Sequence, residues 1–272
     1  MASSLFLNAV YAEFKMVFSE LSRRKITLVM IIGYPYMLLV FILLLGYGFG
    51  GSRVFTERFG IPPEVFFTVS GYLLIAVMSV NDDLLWRPLF DEWMGTLPYI
   101  IASPMPRLYR FLAIPLPRLL AGVASGAATV APVMLYFYGV SGLLEAASVI
   151  LLGIVAAVTL TPLIMVLMGL LYSHGRDQWR FINILRPLLF ILLGVYYPRF
   201  MMPLGGYVAS ALIPSSHVVE VIQRILLGEA ELYYSFILLA AATALFFIYT
   251  PIGVHSISLW EKSKLREGVS LS

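Results

Sequence analysis

Residues 26–52 read ITLVMIIGYPYMLLVFILLLGYGFGGS and carry no charged side chain. A helix rising about 1.5 Å per residue over this stretch exceeds the roughly 30 Å of a bilayer's hydrocarbon core. That reading decides the fold class, and the rest of the chain agrees with it. Of the 272 residues, 60% are hydrophobic and 12% charged. A soluble domain carries roughly 25% charge. Mean hydropathy is +0.91. A soluble core of this size is excluded and a polytopic membrane protein is indicated.

Working outward, residues 1–25 do not read as a cleavable signal, because Arg23-Arg24-Lys25 follows Glu13, Lys15 and Glu20 instead of leading them. Phe6, Val10, Phe14, Val17, Phe18 and Leu21 fall in an arc of about 120° at 100° per residue. Asn8, Lys15, Ser19 and Ser22 lie opposite. This predicts an amphipathic interfacial helix. The spans are expected at about 26–50, 65–86, 111–138, 146–172, 181–200 and 232–255, all within one transmembrane domain, 1–272. Residues 201–230 contain apolar pieces on either side of Pro214 that are each too short to cross, which predicts an extracellular re-entrant helical hairpin ended by Gly228. The expected fold class is therefore all-α and polytopic, with six transmembrane helices.

Six spans place both termini on one side. Assigned to the cytoplasm, that side holds Lys15, Arg23, Arg24, Lys25, Arg87, Arg107, Arg110, Arg176, Arg180, Lys262, Lys264 and Arg266. The other side holds Arg53, Arg58, Arg199 and Arg224. The asymmetry follows the positive-inside rule. The net charge of +3 thus records topology, and no nucleic-acid partner is implied. The absence of cysteine excludes disulfides, thiolate metal sites and cysteine nucleophiles. His174, His217 and His255 are scattered and form no metal motif.

Between the second and third spans lies a cytoplasmic loop, 87–110, that contains DEWMGTLPYIIASPMPR (residues 91–107). Thr96 can cap a helix start, with Pro98 in the first turn. Leu97, Tyr99, Ile100 and Ile101 supply an apolar surface. Ser103-Pro104 ends the element, since a residue before proline leaves the helical region. The result is a short docking helix suited to a groove on another protein.

The order acid, Gly-Thr-Leu, apolar run, Ser-Pro, carried here by Glu92, Gly95, Thr96, Leu97, Ser103 and Pro104, resembles the coupling loop of type-2 ATP-binding-cassette (ABC) exporter permeases. The amphipathic N-terminal helix, six spans and broken hairpin extend the likeness over nearly the whole chain. ALIPSSHVVEVIQRILLG, residues 211–228, looks like that family's extracellular hairpin. Two departures bear on the subfamily: Pro98 stands where an acid often follows Gly-Thr-Leu, and Ile213 stands where Asn often precedes the hairpin proline. The resemblance implies a permease subunit, paired with a second permease chain as homodimer or heterodimer. Each chain would dock a separate ATPase subunit that binds ATP and Mg, and would move an amphipathic or lipid-like substrate (drug, lipid or polysaccharide) outward. Consistently, no G-x-x-x-x-G-K-[ST] motif occurs, so no cofactor and no catalytic residue is expected on this chain.

Asp82, Asp83, Arg118 and Arg186 fall at similar depth near the inner ends of their spans and are expected to form an intramembrane charge cluster or to snorkel. Gly122 and Gly126 form a small-xxx-small face that suits close packing within the chain. On the hairpin, Glu220 and Arg224 are four apart and read as a surface pair or, more sharply, as a gate contact beyond Pro214. Other classes stay open. An ion-gradient-driven secondary transporter would want acids at the bilayer midplane and internal repeats. An accessory membrane protein without transport activity would bind no ATPase. A serine protease using Ser141 in GVSG with His255 fails on topology, because the two lie at opposite ends of their spans, roughly 30 Å apart, and a nucleophile must touch its base.

Overall fold

The computed structural model describes residues 2–48, 51–173 and 178–267. The expected inner-loop residues His174 and Arg176 lie outside that range. No strand occurs among the described residues. The helices are α1 (Ala2–Arg23), α2 (Lys25–Gly48), α3 (Gly51–Phe59), α4 (Pro63–Trp93), α5 (Leu97–Ala102), α6 (Arg107–Ala113), α7 (Leu116–Ser173), α8 (Gln178–Leu193), α9 (Leu204–Ala211), α10 (Pro214–Leu226) and α11 (Leu232–Glu267). Among the described residues, three stretches are long and apolar enough to cross a membrane: Pro63–Trp93, Arg107–Ser173 and Leu232–Arg266. The protein thus has the fold of an α-helical membrane protein.

The longest stretch is folded double. Gly139 sits at φ 64, ψ −150, a region open essentially to glycine alone. Beyond it Gly142 abuts the Met134 carbonyl, and Gly126 abuts Ile150. Residues equidistant from position 138 therefore pair, which defines an antiparallel hairpin with arms 116–138 and 140–173. Each arm exceeds the roughly 20 residues that hydrocarbon requires.

The two arms clasp α4. The Tyr72 hydroxyl donates to the Ile150 carbonyl at 2.8 Å. Its ring leaves no room for side chains opposite: a Cβ on Gly126 would lie 2.8 Å from it, and one on Gly153 2.6 Å. Gly122 meets Ala76 in the same groove, so the small-residue face of the first arm packs within the chain. Farther along, the Tyr172 hydroxyl donates to the Leu85 carbonyl at 2.7 Å. α11 runs alongside the second arm in the same direction. Gly253 sits against Met165, Gly169 against Ser256, and Trp260 against Tyr172. The core is the shared interior of α4, α7, α10 and α11.

Two expectations change in detail. The fifth expected span, 181–200, is helical only to Leu193, where Gly194 (φ 72) breaks α8. Over the described residues α8 has 16 residues and reaches about 24 Å, short of hydrocarbon thickness. The pieces around Pro214 are two short helices, α9 and α10, and every residue of α10 from Pro214 to Gln223 is buried, so Glu220 is not on a surface as its expected surface pair requires. Its Ser215 hydroxyl donates to the Ala156 carbonyl of α7 at 2.6 Å. Of the N-terminal helix, Val17 is buried and Phe6 packs edge-on against Tyr109 of α6. Phe18 of the expected apolar arc stays exposed, as do Leu7 and Tyr11.

Candidate functional site

The 87–110 loop is built from local signals. α4 closes in a glycine C-cap: the Thr96 amide donates to the Asp91 carbonyl at 2.9 Å and the Gly95 amide to the Glu92 carbonyl at 3.1 Å. Gly95 takes φ +67, which no side chain tolerates cheaply. The Thr96 hydroxyl does not cap α5 as expected. It turns back to Asp91, 3.1 Å from Oδ1, and Pro98 in the first turn has no N–H for it to accept. At the other end Ser103 adopts ψ 135 before Pro104 and stops the helix after one and a half turns.

Ion pairs hold this short helix to its neighbours. Asp91, 7% exposed, accepts from Arg110 at 2.6 Å and lies 3.6 Å from Arg87. Arg87 reaches Glu13 of α1 at 2.5 Å. Burial pushes the Glu13 carboxyl above its ordinary pKa, although Arg87 and Arg110 pull it back. Arg107 closes the far end. Its Nη2 donates to the Ile101 carbonyl at 2.9 Å and its Nη1 to the Ile100, Ser103 and Met105 carbonyls. Its Nε meets Glu261 of α11 at 2.5 Å. One guanidinium thus satisfies the loose carbonyls of α5 and ties them to the last helix. Glu92 pairs with Lys264 at 3.1 Å, a second tie to α11.

What the loop presents outward differs from the expected face. Leu97 is 2% exposed and is a core plug. The exposed apolar surface is Phe90, Trp93, Met94 and Tyr99, the last 74% exposed, with Ile100 half-buried beside it. A cavity of about 500 Å³ opens between α1 and the loop, lined by Met16, Phe90, Met94 and Met105 together with Glu13, Arg87 and Asp91.

The four charges expected within the spans meet as two pairs. Arg186 of α8 binds Asp82. Arg118 of α7 binds Asp83 at 2.8 Å and approaches Glu20 of α1 at 3.8 Å.

At the opposite end, Glu220 is not half of a surface pair. It is fully buried, and so is Arg199, 2.8 Å away. The Glu220 carboxylate also accepts from Arg224 at 3.0 Å and from the Tyr234 hydroxyl at 3.3 Å. Arg199 donates through Nε to Ser210 at 2.6 Å and lies over the Tyr207 ring. Gln223 stitches the segment to α10, donating to the Gly194 and Tyr197 carbonyls and accepting from the Arg199 amide. Burial lowers the His217 pKa below its ordinary value. Pro214 opens α10 in its first turn, and Gly228 (φ +68) closes it with the same glycine cap seen at Gly95.

Sequence reasoning named Glu92, Gly95, Thr96, Leu97, Tyr99, Ile100, Ser103 and Pro104, and these share one loop. It missed Glu13, Arg87, Asp91, Arg107, Arg110 and Glu261, which hold that loop, and Arg199, His217 and Gln223 at the far end. The i, i+4 spacing of Arg87 and Asp91 was the one local signal. Ser141 and His255 do not meet: the Ser141 hydroxyl donates to the Tyr138 carbonyl at the Gly139 reversal. His255 precedes Ser256, which bonds Val166, roughly 37 Å farther down the second arm. Compared with known proteins, the chain matches no family model, no curated protein and no solved structure.

Proposed function

We propose that this chain is the transmembrane permease subunit of an ATP-driven exporter of the type-2 ABC kind. It sits multi-pass in the cytoplasmic membrane with both termini inside. Two such chains, identical or related, enclose the pathway, and a separate ATPase subunit carries ATP and Mg. The observation that carries the reading is α5. A six-residue helix has no reason to be stable alone, yet here Thr96 ties its start to Asp91 and Arg107 ties its carbonyl end to Glu261, within a frame of ion pairs that joins α1, α4, α6 and α11, while Trp93, Met94 and Tyr99 are exposed. A rigid aromatic knob wired to the long helices suits a part that is pushed by a partner. Closure of the ATPases rocks α4 and α11 through those ties and opens the pathway outward. The apolar spans suit an amphipathic or lipid-like substrate. Asp82 and Asp83 each pair with an arginine and fall near the inner ends of their expected spans, whereas an ion-coupled carrier would want its acids at the bilayer midplane.

The test is affinity purification from the native host in mild detergent. A Walker-A ATPase is expected at a near-equal amount. Trp93→Ala with Tyr99→Ala, both exposed positions, is expected to lower its recovery at least about tenfold, since aromatic anchors of this kind carry 2 kcal/mol or more. Repeated recovery of the intact chain without an ATPase would overturn the proposal.

A further inference from the structure

The buried cluster on α9 and α10 has a feature that packing alone does not require. His217 uses both ring nitrogens: Nε2 lies 2.9 Å from the Ala211 carbonyl, and Nδ1 lies 3.1 Å from Arg199 Nη1. A carbonyl only accepts and a guanidinium only donates. The imidazole is therefore neutral, with its proton on Nε2 and a bare Nδ1 turned to the arginine. Arg199 is fully buried, and its Nη2 has no hydrogen-bond partner.

The charges around His217 are few. Arg199 faces it from the segment after α8, and Glu220 and Arg224 lie on its own helix. α9 contributes Tyr207, Ser210 and the Ala211 carbonyl, and α11 contributes Tyr234. Among the described residues α7 brings Thr159 and the Ala156 carbonyl, at the neighbouring Ser215. One carboxylate thus serves two guanidinium groups already. Both of its oxygens are taken, Oε2 by Arg199 and Oε1 by Arg224 and Tyr234.

We infer that His217 and Arg199 form a proton-operated latch: protonation of Nδ1 drives Arg199 off the α9–α10 hairpin and frees the 194–203 segment from it. The proton turns the Arg199 contact into donor against donor and cation against cation, while Glu220, whose oxygens already accept Arg199, Arg224 and Tyr234, has no free oxygen for the imidazolium. His217 is 8% exposed, so a proton reaches it from solvent. The direction follows from the neutral imidazole that the fold holds. The latch's contribution to stability is present above the unfolded value of about 6.5 and is lost as pH falls from there toward the lowered folded value. The inference does not rest on the transporter reading. If that reading holds, the latch senses the pH outside the cell and biases the outer end toward opening.

The chain has no native cysteine, so a spin-label pair at Ile191→Cys and Leu212→Cys, both exposed positions, reads the distance from α8 to the hairpin. With His217 present, the distance distribution is expected to shift to longer values between pH 7.5 and pH 5, reversibly. His217→Asn, which keeps an acceptor near the Nδ1 position, is expected to hold the pH 7.5 distribution at both values. His217→Gln serves if the asparagine variant does not fold. An unchanged distribution in the parent pair overturns the latch, and so does a shift that survives in the folded His217 variant.

Discussion

Arg199 and Glu220 show how little a residue's type says about its energetic weight. Both are charged, and both are fully enclosed. Removing one partner of such a pair leaves the other uncompensated, at a cost of about 3–5 kcal/mol. Glu220→Ala is therefore expected to lower the unfolding midpoint sharply in detergent. The double variant Arg199→Met with Glu220→Leu, which removes both charges, is expected to be more stable than Glu220→Ala alone. Thermal unfolding of the three proteins checks the order. The loop gives the converse pair. Leu97 is buried and Tyr99 is exposed, only two positions apart. Leu97→Ala is expected to cost about 2–5 kcal/mol through a cavity. Tyr99→Ala stays within about 0.5 kcal/mol, as surface changes do. If Tyr99→Ala unfolds the protein, its side chain is structural and the docking reading loses its exposed anchor.

Among the elements, the double-folded α7 and the short α5 depend on single residues. Gly139 turns one helix into two in a conformation reserved for glycine. Gly139→Ala is expected to destabilise by about 1–3 kcal/mol, measurable as a lower melting temperature. α5 depends on Arg107, whose guanidinium closes its carbonyl end and binds Glu261. Arg107→Ala is expected to speed amide hydrogen exchange across residues 97–106 at least about tenfold while leaving α4 and α7 protected, since local opening tracks the bonds that close an element. Uniform protection in that variant would mean the helix stands on its packing alone.

Over the whole molecule, ion pairs gather at two ends with an apolar interior between them. One end holds the α1, α4, α6 and α11 charges, and the other holds the Arg199 cluster. Under the proposed orientation these ends face opposite sides of the membrane. Because the chain lacks cysteine, Met94→Cys and Glu229→Cys test this directly. In intact cells Glu229→Cys is expected to react with an impermeant thiol reagent, and Met94→Cys only after permeabilisation. Labelling of both from outside would refute the orientation.

Apolar runs and punctuation are local properties, and they were legible in the sequence by itself. They determined that the chain is helical and membrane-like, where α5 stops at Ser103-Pro104, and that Pro214 and Gly228 bound a short helix. Each depends on steric limits or transfer free energies that a residue carries wherever it lies. The charge partners were not legible, because pairing belongs to space and not to spacing. Glu13 meets Arg87 across 74 positions and Glu92 meets Lys264 across 172, and only for Asp82, Asp83, Arg118 and Arg186 did similar depth in their spans give a signal. For the same reason the burial of Leu97 and the enclosure of Glu220 were decided only by the tertiary structure. Whether a side chain is wrapped or exposed depends on which distant helix packs over it, and that choice is made by the whole bundle at once.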